Sequence, residues 1–134
     1  MAGLRLLVCG GRDFNDKEAV WSALDSVVVD FGVVDVLIEG EASGADHLGR
    51  LWAEHRGITV IPCPADWSNI AVPGAVVRYR QGKPYNAAAG GMRNQRMLTD
   101  HAPDLVVAFP GGNGTADMVE KARRAGVEVV EVDA

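Results

Sequence analysis

Hydrophobic and polar positions along this chain follow two periods in alternation. Apolar runs of strand length occur at Leu4 to Cys9, Val33 to Ile38, Ile58 to Ile61, Leu105 to Phe109 and Val127 to Val132. Helix-period segments separate most of them. From Asp16 to about Phe31, Val20, Ala23, Leu24, Val27 and Phe31 fall on one face, behind Asn15 or Asp16 as N-cap. The run Val27-Val28-Val29 works against that helix, because β-branched side chains lose rotamer freedom there. A second helix, Ala45 to His55, carries Leu48, Leu51 and Trp52 on its apolar face and stops at Gly57. A third runs from Met92 to His101, before Pro103, and a fourth from Thr115 to Ala125, before Gly126. Strands alternating with helices imply right-handed crossovers and a mainly parallel five-stranded sheet covered on both faces. The expected class is α/β, a Rossmann-like three-layer α/β/α arrangement.

One segment breaks the alternation. Pro62 to Gly91 holds "ADWSNIAVPGAVVRYRQGKPYNAAAGG", and a connection of that length in a compact domain is a functional flap or hides a short helix or hairpin. Val76 to Arg80 is the strand candidate within it, and the segment as a whole is expected to be mobile or to make an oligomer contact.

Length and composition narrow the picture further. The 134 residues, 48% hydrophobic, suit a single domain, 1–134, with one sizeable core. Thirteen basic residues stand against eighteen acidic ones, a net charge of −5 without long like-charge runs. A general duplex-binding surface is therefore not expected, and nucleic acid is not the partner this balance favours; a local basic pocket for one nucleotide is compatible with it. The apolar stretch near the N-terminus is short and interrupted by Arg5, so it reads as a first strand rather than a signal peptide or membrane span; the expected location is cytoplasmic, with no membrane contact. Cys9 and Cys63, at strand ends, read as buried thiols. His47, His55 and His101 share no metal-ligand spacing, so neither a metal nor a cofactor is expected. Trp21 and Trp52 read as packing residues on helix faces.

Candidate chemistry gathers where strands end. Glycine turns follow the first strand ("CGGRDFND"), the second ("EGEASGADH") and the fourth ("PGGNGTADM"), all on the carboxyl edge of a parallel sheet. In open α/β sheets ligands bind at that edge, in the crevice where strand order reverses. If the first and fourth strands are neighbours, Gly10-Gly11 and Gly111-Gly112 face each other across the crevice. Glycine permits close backbone approach, and the helix that follows offers unpaired N–H groups and a positive dipole end, so phosphate or carboxylate is the natural occupant. The candidate binding residues are Gly10, Gly11, Arg12, Asp13, Gly40, Ser43, Gly44, Ala45, Asp46, Trp67, Arg93, Asn94, Arg96, Pro110, Gly111, Gly112, Asn113, Gly114 and Thr115. Thr115 is read as a cap for the last helix. Asp117, in its first turn, either accepts from a sugar hydroxyl, acts as a base, or complements the helix dipole. Arg93 and Arg96, three apart, offer guanidinium forks for phosphate, or form ordinary surface pairs such as Arg96 with Asp100. Trp67 stacks on a base or anchors the flap. "PGGNGT" lacks the Gly-Lys-Ser/Thr ending of a P-loop and the first turn lacks the G-x-G-x-x-G spacing, which argues against triphosphate hydrolysis and ordinary dinucleotide oxidoreduction.

With these residues in place, the chain resembles the SLOG superfamily, in its YspA- and YpsA-related branch. The resemblance is carried by "VCGGRDF", "EGEASGADHLGRLWA", "PADW", "MRNQRML" and "FPGGNGTADMV", in that order over most of the chain. It implies binding of a nucleotide or nucleotide-derived ligand, a nucleoside monophosphate or an ADP-ribose-like molecule, and a homodimer or higher oligomer. The superfamily also includes the DNA-processing DprA/Smf proteins and the LOG-type phosphoribohydrolases. In the LOG type, P-G-G-x-G-T-x-x-E supplies a catalytic glutamate; here Met118 stands at that place, preceded by Asp117. Three functional readings follow: a nucleotide-ligand binder, an N-glycoside hydrolase acting on a nucleoside 5′-monophosphate with Asp117, Asp46 and Arg93 as its catalytic candidates, and an oligomeric scaffold.

Overall fold

The computed structural model describes residues 3–133. The chain runs β1 (Leu4–Cys9), α1 (Lys17–Phe31), β2 (Val34–Glu39), α2 (Ala45–His55), β3 (Thr59–Pro62), β4 (Val77–Arg80), β5 (Lys83–Asn86), α3 (Ala89–His101), β6 (Leu105–Ala108), α4 (Asn113–Arg124) and β7 (Glu128–Glu131). Five strands form one parallel sheet in the order β3-β2-β1-β6-β7. The chain winds outward from β1 to β3, then returns to the other side of β1 at β6. Strand order reverses between β1 and β6, which makes the first and fourth of the expected strands neighbours.

Period two along β1 divides the core. Leu6 and Val8 join α1 and α2 residues such as Val20, Leu24 and Trp52 on one face. Leu7 and Cys9 join Met97 of α3 and Met118 and Val119 of α4 on the other. β6 is buried at every position, which explains its unbroken apolar run. Helix α1 forms through the valine run despite its β-branching: Val20, Leu24 and Val27 bury one stripe, and Asp16 caps the start by accepting from the Ala19 N–H at 3.0 Å. Cys9 is buried and Cys63 half-buried, both as free thiols. Among the described residues, no helix is long and apolar enough to cross a membrane.

The long segment takes one of its expected forms, and two helix starts differ from expectation. The segment from Pro62 to Gly91 contains an antiparallel hairpin, β4–β5, in which Val77 pairs with Asn86 and Arg80 with Lys83. Gln81 and Gly82, both at positive φ, make its two-residue turn. Helix α3 starts at Ala89 rather than Met92, because Asn86 supports its entry: its side-chain oxygen accepts from the N–H groups of Ala88 (2.9 Å) and Val76 (3.1 Å). Helix α4 starts at Asn113, so its N-cap is Gly112, without a side-chain hydrogen bond. Thr115 is then its third residue and not its cap.

Candidate functional site

A cleft of about 860 Å³ opens at the carboxyl ends of β1 and β6. Its walls come from the end of β1, from Trp67, and from the first turns of α3 and α4. Both helices begin there uncapped by any side chain, at Ala88 and Gly112. Their first amides have no carbonyl one turn back to bond, so two positive helix ends meet at one place.

The glycines on this edge play different parts. A methyl group on Gly10 would lie 2.6 Å from the Ala45 Cβ, and one on Gly111 would lie 2.7 Å from the Gly11 nitrogen and run into the Thr115 hydroxyl. These glycines let β1, β6 and α2 approach one another. The Gly11 N–H donates to the Pro110 carbonyl at 2.9 Å, which fastens the first turn to the last. A methyl group on Gly112 or Gly114 would meet nothing within 4 Å, so the first turn of α4 is bare toward open space.

The middle turn holds most of its amides within the fold. Asp46 is buried, and its Oδ2 accepts from the N–H groups of Gly40 (3.1 Å) and Ala42 (3.3 Å). The Glu41 N–H donates to the buried Glu39 carboxylate, and the Ala45 N–H donates to the Gly11 carbonyl at 3.2 Å. Gly44, at φ 76°, backs directly onto the Gly11 and Arg12 backbone, and the Ser43 hydroxyl donates to the Arg12 carbonyl at 3.0 Å. Four of the six amides from Gly40 to Ala45 are thus engaged within the fold, two of them by the Asp46 carboxylate.

Electrostatics set the wall residues apart. Burial pushes the Asp46 carboxyl up from 3.8 to about 6, against the two backbone N–H bonds; Glu39 raises it further and Arg93 opposes. Burial likewise lowers Arg93, with Asp46 opposing. Arg93 Nη1 donates to the carbonyls of Gly40 (2.6 Å) and Cys63 (3.3 Å), and its Nε donates to the Asn94 side-chain oxygen at 3.0 Å. Its fork therefore braces the β2 and β3 ends. Asn94 is buried and both its amide hydrogens are engaged, with the Gly114 carbonyl (3.2 Å) and Asp117 Oδ2 (2.9 Å). It is a strut between α3 and α4 rather than a free donor. Burial raises Asp117, but hydrogen bonds from Lys121 and Asn94 outweigh it and hold the carboxyl below its usual range. Lys121 Nζ lies 2.8 Å from each Asp117 oxygen and also donates to the Gly91 carbonyl at 3.2 Å.

Of the sequence candidates, Gly10, Arg12, Asp46, Trp67, Arg93, Asn94, Gly112, Asn113, Gly114, Thr115 and Asp117 line the cleft. Gly40 and Ser43 line an adjoining groove of about 320 Å³ that shares Arg12, Trp67 and Arg93. Asp13, Arg96, Pro110 and Gly111 are exposed outside both, and Gly11, Gly44 and Ala45 pack beneath the turns. Arg12 places its guanidinium 5.4 Å from the centre of the Trp67 ring, giving the cleft a flat cationic rim. Sequence reasoning missed Ala88, Gly90, Gly91 and Lys121. Gly90-Gly91 was the available signal for the first three; Lys121 had only its i,i+4 spacing from Asp117.

Met118 is fully buried against the α3–β6 core and faces away from the cleft wall. Among the described residues, no three His, Cys, Asp or Glu side chains converge as a metal site.

Comparison with known proteins adds the following. A family model described as the YspA, cpYpsA-related SLOG family matches residues 4–69. Gene 61 protein of Mycobacterium phage D29 is 32% identical over 133 residues, covering 94% of each chain. The X-ray structure of DNA processing protein A from Streptococcus pneumoniae aligns with 96% of this chain at 16% identity and a TM-score of 0.49. This chain spans 58% of that one.

Proposed function

The chain belongs to the YspA, cpYpsA-related SLOG family, and from that premise we propose that it binds a nucleotide or nucleotide-derived ligand, a nucleoside monophosphate or an ADP-ribose-like molecule. The single observation that carries this reading is the meeting of two uncapped helix starts, α3 and α4, at one cleft on the switch point of the sheet. Backbone N–H groups and aligned dipoles there favour a phosphate. Gly112 and Gly114 leave room for close approach, and Arg93 on the cleft wall adds positive charge. Trp67, under Arg12, supplies an aromatic face of the right kind for a base.

A second reading is N-glycoside hydrolysis of a nucleoside 5′-monophosphate, favoured by Asp46, whose carboxyl is held near 6 beside the cleft and so suits proton transfer. Against it, the position of the LOG-type glutamate is filled by Met118, buried in the core. A thermal-shift panel of nucleoside monophosphates, ADP-ribose, NAD and cyclic nucleotides tests both readings, with free base measured for every hit. Stabilisation by at least one phosphate-bearing member and loss of that stabilisation in Trp67→Ala are expected; at a ligand concentration about 100 times Kd the gain is about 2.7 kcal/mol. No shift with any member removes the binding reading. Base release that survives in wild type and vanishes in Asp46→Asn establishes the hydrolase instead.

A further inference from the structure

The β4–β5 hairpin is a two-stranded sheet of its own, apart from the five-stranded one, and none of its residues lines the cleft. It is anchored at its base by the Ala87 N–H to the Val76 carbonyl (2.7 Å) and by the Asn86 N–H to the Trp67 carbonyl (2.7 Å). Directly paired residues of an antiparallel ribbon point the same way, so the register fixes two opposite faces. Arg78 with Tyr85 and Arg80 with Lys83 make one face; Val77, Tyr79, Pro84 and Asn86 lie on the other. Arg78, Arg80 and Lys83 are exposed, and none of the three has an ion-pair partner among the described residues.

The charge on that first face works against the ribbon that carries it. Arg80 and Lys83 stand directly opposite each other, a destabilising like-charge pair in a two-stranded unit that is marginal by itself in water. Charges that merely keep an exposed edge from aggregating can be of either sign. Here only one sign is used: Trp67 to Thr99 holds five of the chain's thirteen basic residues and none of its eighteen acidic ones. The net charge of −5 therefore belongs to the rest of the chain, and an anion laid on the ribbon removes its repulsion. Arg78 and Arg80, two residues apart on one strand, are separated by about 6.8 Å along it, close to the separation of neighbouring phosphates in an extended nucleic-acid strand. The Arg80 guanidinium lies 5.5 Å from the centre of the Tyr85 ring. Ring and guanidinium plane are both surfaces on which unpaired bases stack. An acidic peptide would occupy the cations and leave the ring unused. A duplex would bring its second row of phosphates against a body in which acidic residues outnumber basic ones more than two to one.

We propose that the Arg78, Arg80, Lys83 and Tyr85 face of the hairpin binds single-stranded nucleic acid, with phosphates on the three cations and a base against Tyr85. The contact is mainly electrostatic and indifferent to sequence. It is separate from the cleft and does not rest on the nucleotide reading.

Fluorescence anisotropy of the full chain with a labelled oligothymidylate of about twelve nucleotides tests it, and the matching oligouridylate shows whether the strand is DNA, RNA or either. Binding to at least one is expected, with log Kd rising against log salt at a slope of about 2, from three phosphate contacts at about 0.7 each. Arg78→Gln/Arg80→Gln should weaken binding about tenfold or more and lower the slope to about 0.7. The same change removes the Arg80–Lys83 repulsion, so its melting temperature should equal or exceed that of wild type. Lys83→Gln should lower the slope by about 0.7 and carries the test if the double variant melts lower. Tyr85→Leu should weaken binding about fivefold with the slope unchanged, and excess AMP should leave the oligonucleotide in place. No binding at low salt, binding that ignores salt, or a double glutamine variant and Lys83→Gln that both bind as wild type does overturns the proposal. So does tighter binding of a blunt duplex of the same length, or displacement by AMP, which would put the strand in the cleft. Equal competition by an oligoglutamate of the same charge also overturns it, because the ribbon would then serve an acidic protein.

Discussion

Single residues on the carboxyl edge divide into those that permit packing and those that leave space. Gly10 and Gly111 sit where any side chain collides with neighbouring backbone or Cβ atoms. Gly114 sits inside the first turn of α4 with open space before it and no positive φ. Alanine there relieves the entropic cost of a helical glycine, about 0.5–1 kcal/mol, and should raise the melting temperature by about 2–5 °C. The same methyl group stands over the amides proposed for phosphate, so Gly114→Ala should bind its ligand more weakly while melting higher. Calorimetry and titration on one preparation check the pair; equal affinity would place the ligand away from this turn.

Asp46 gives a prediction in pH. Its folded carboxyl titrates near 6 against 3.8 without the fold, so the folded state holds the proton more tightly between those values. The unfolded chain binds fewer protons in that window, and stability must fall as pH rises through it. The loss from this one group is on the order of 2–3 kcal/mol, complete above pH 6 and absent below 3.8. Asp46→Asn keeps an acceptor for the Gly40 and Ala42 amides without the buried charge. It should be more stable than wild type at pH 7.5, with the difference shrinking toward pH 4, as read by urea denaturation; a pH-independent difference would mean that the carboxyl is not desolvated as described.

At the scale of elements, local propensity and tertiary packing disagree in instructive places. The valine run argued against helix, yet α1 passes through it because its buried stripe outweighs a few tenths of a kcal/mol per β-branched residue. Helix α3 begins three residues early because Asn86, across the hairpin base, ties down Ala88 and Val76. No local pattern announces that, since the tie depends on the strand pairing that brings residue 86 back to residue 76. Asn86→Ala removes both of these part-buried bonds, at about 1 kcal/mol each. Hydrogen exchange should then accelerate across 77–86 and the first turn of α3 while the β1 and β6 amides stay protected. If the whole sheet loosens equally, the hairpin is not the separate unit described.

For the whole molecule, strand and helix identity were legible from the alternation of apolar runs with helix-period segments, since a buried parallel strand must be apolar throughout and a crossover helix must be amphipathic, whereas strand order entered only as a condition. The gathering of glycine turns on one edge follows from a parallel sheet, while the reversal between β1 and β6 was decided by the fold. What the chain alone could not decide was which of those turns faces outward. Only the folded arrangement shows Asp46 filling the middle turn, Asn94 and Lys121 engaged between α3 and α4, and Gly90-Gly91 opening a second helix on the cleft wall. Spacing records which residues can lie on one face of one element. Whether an amide is free or taken depends on groups brought from up to tens of positions away, and that is settled when the layers close on each other.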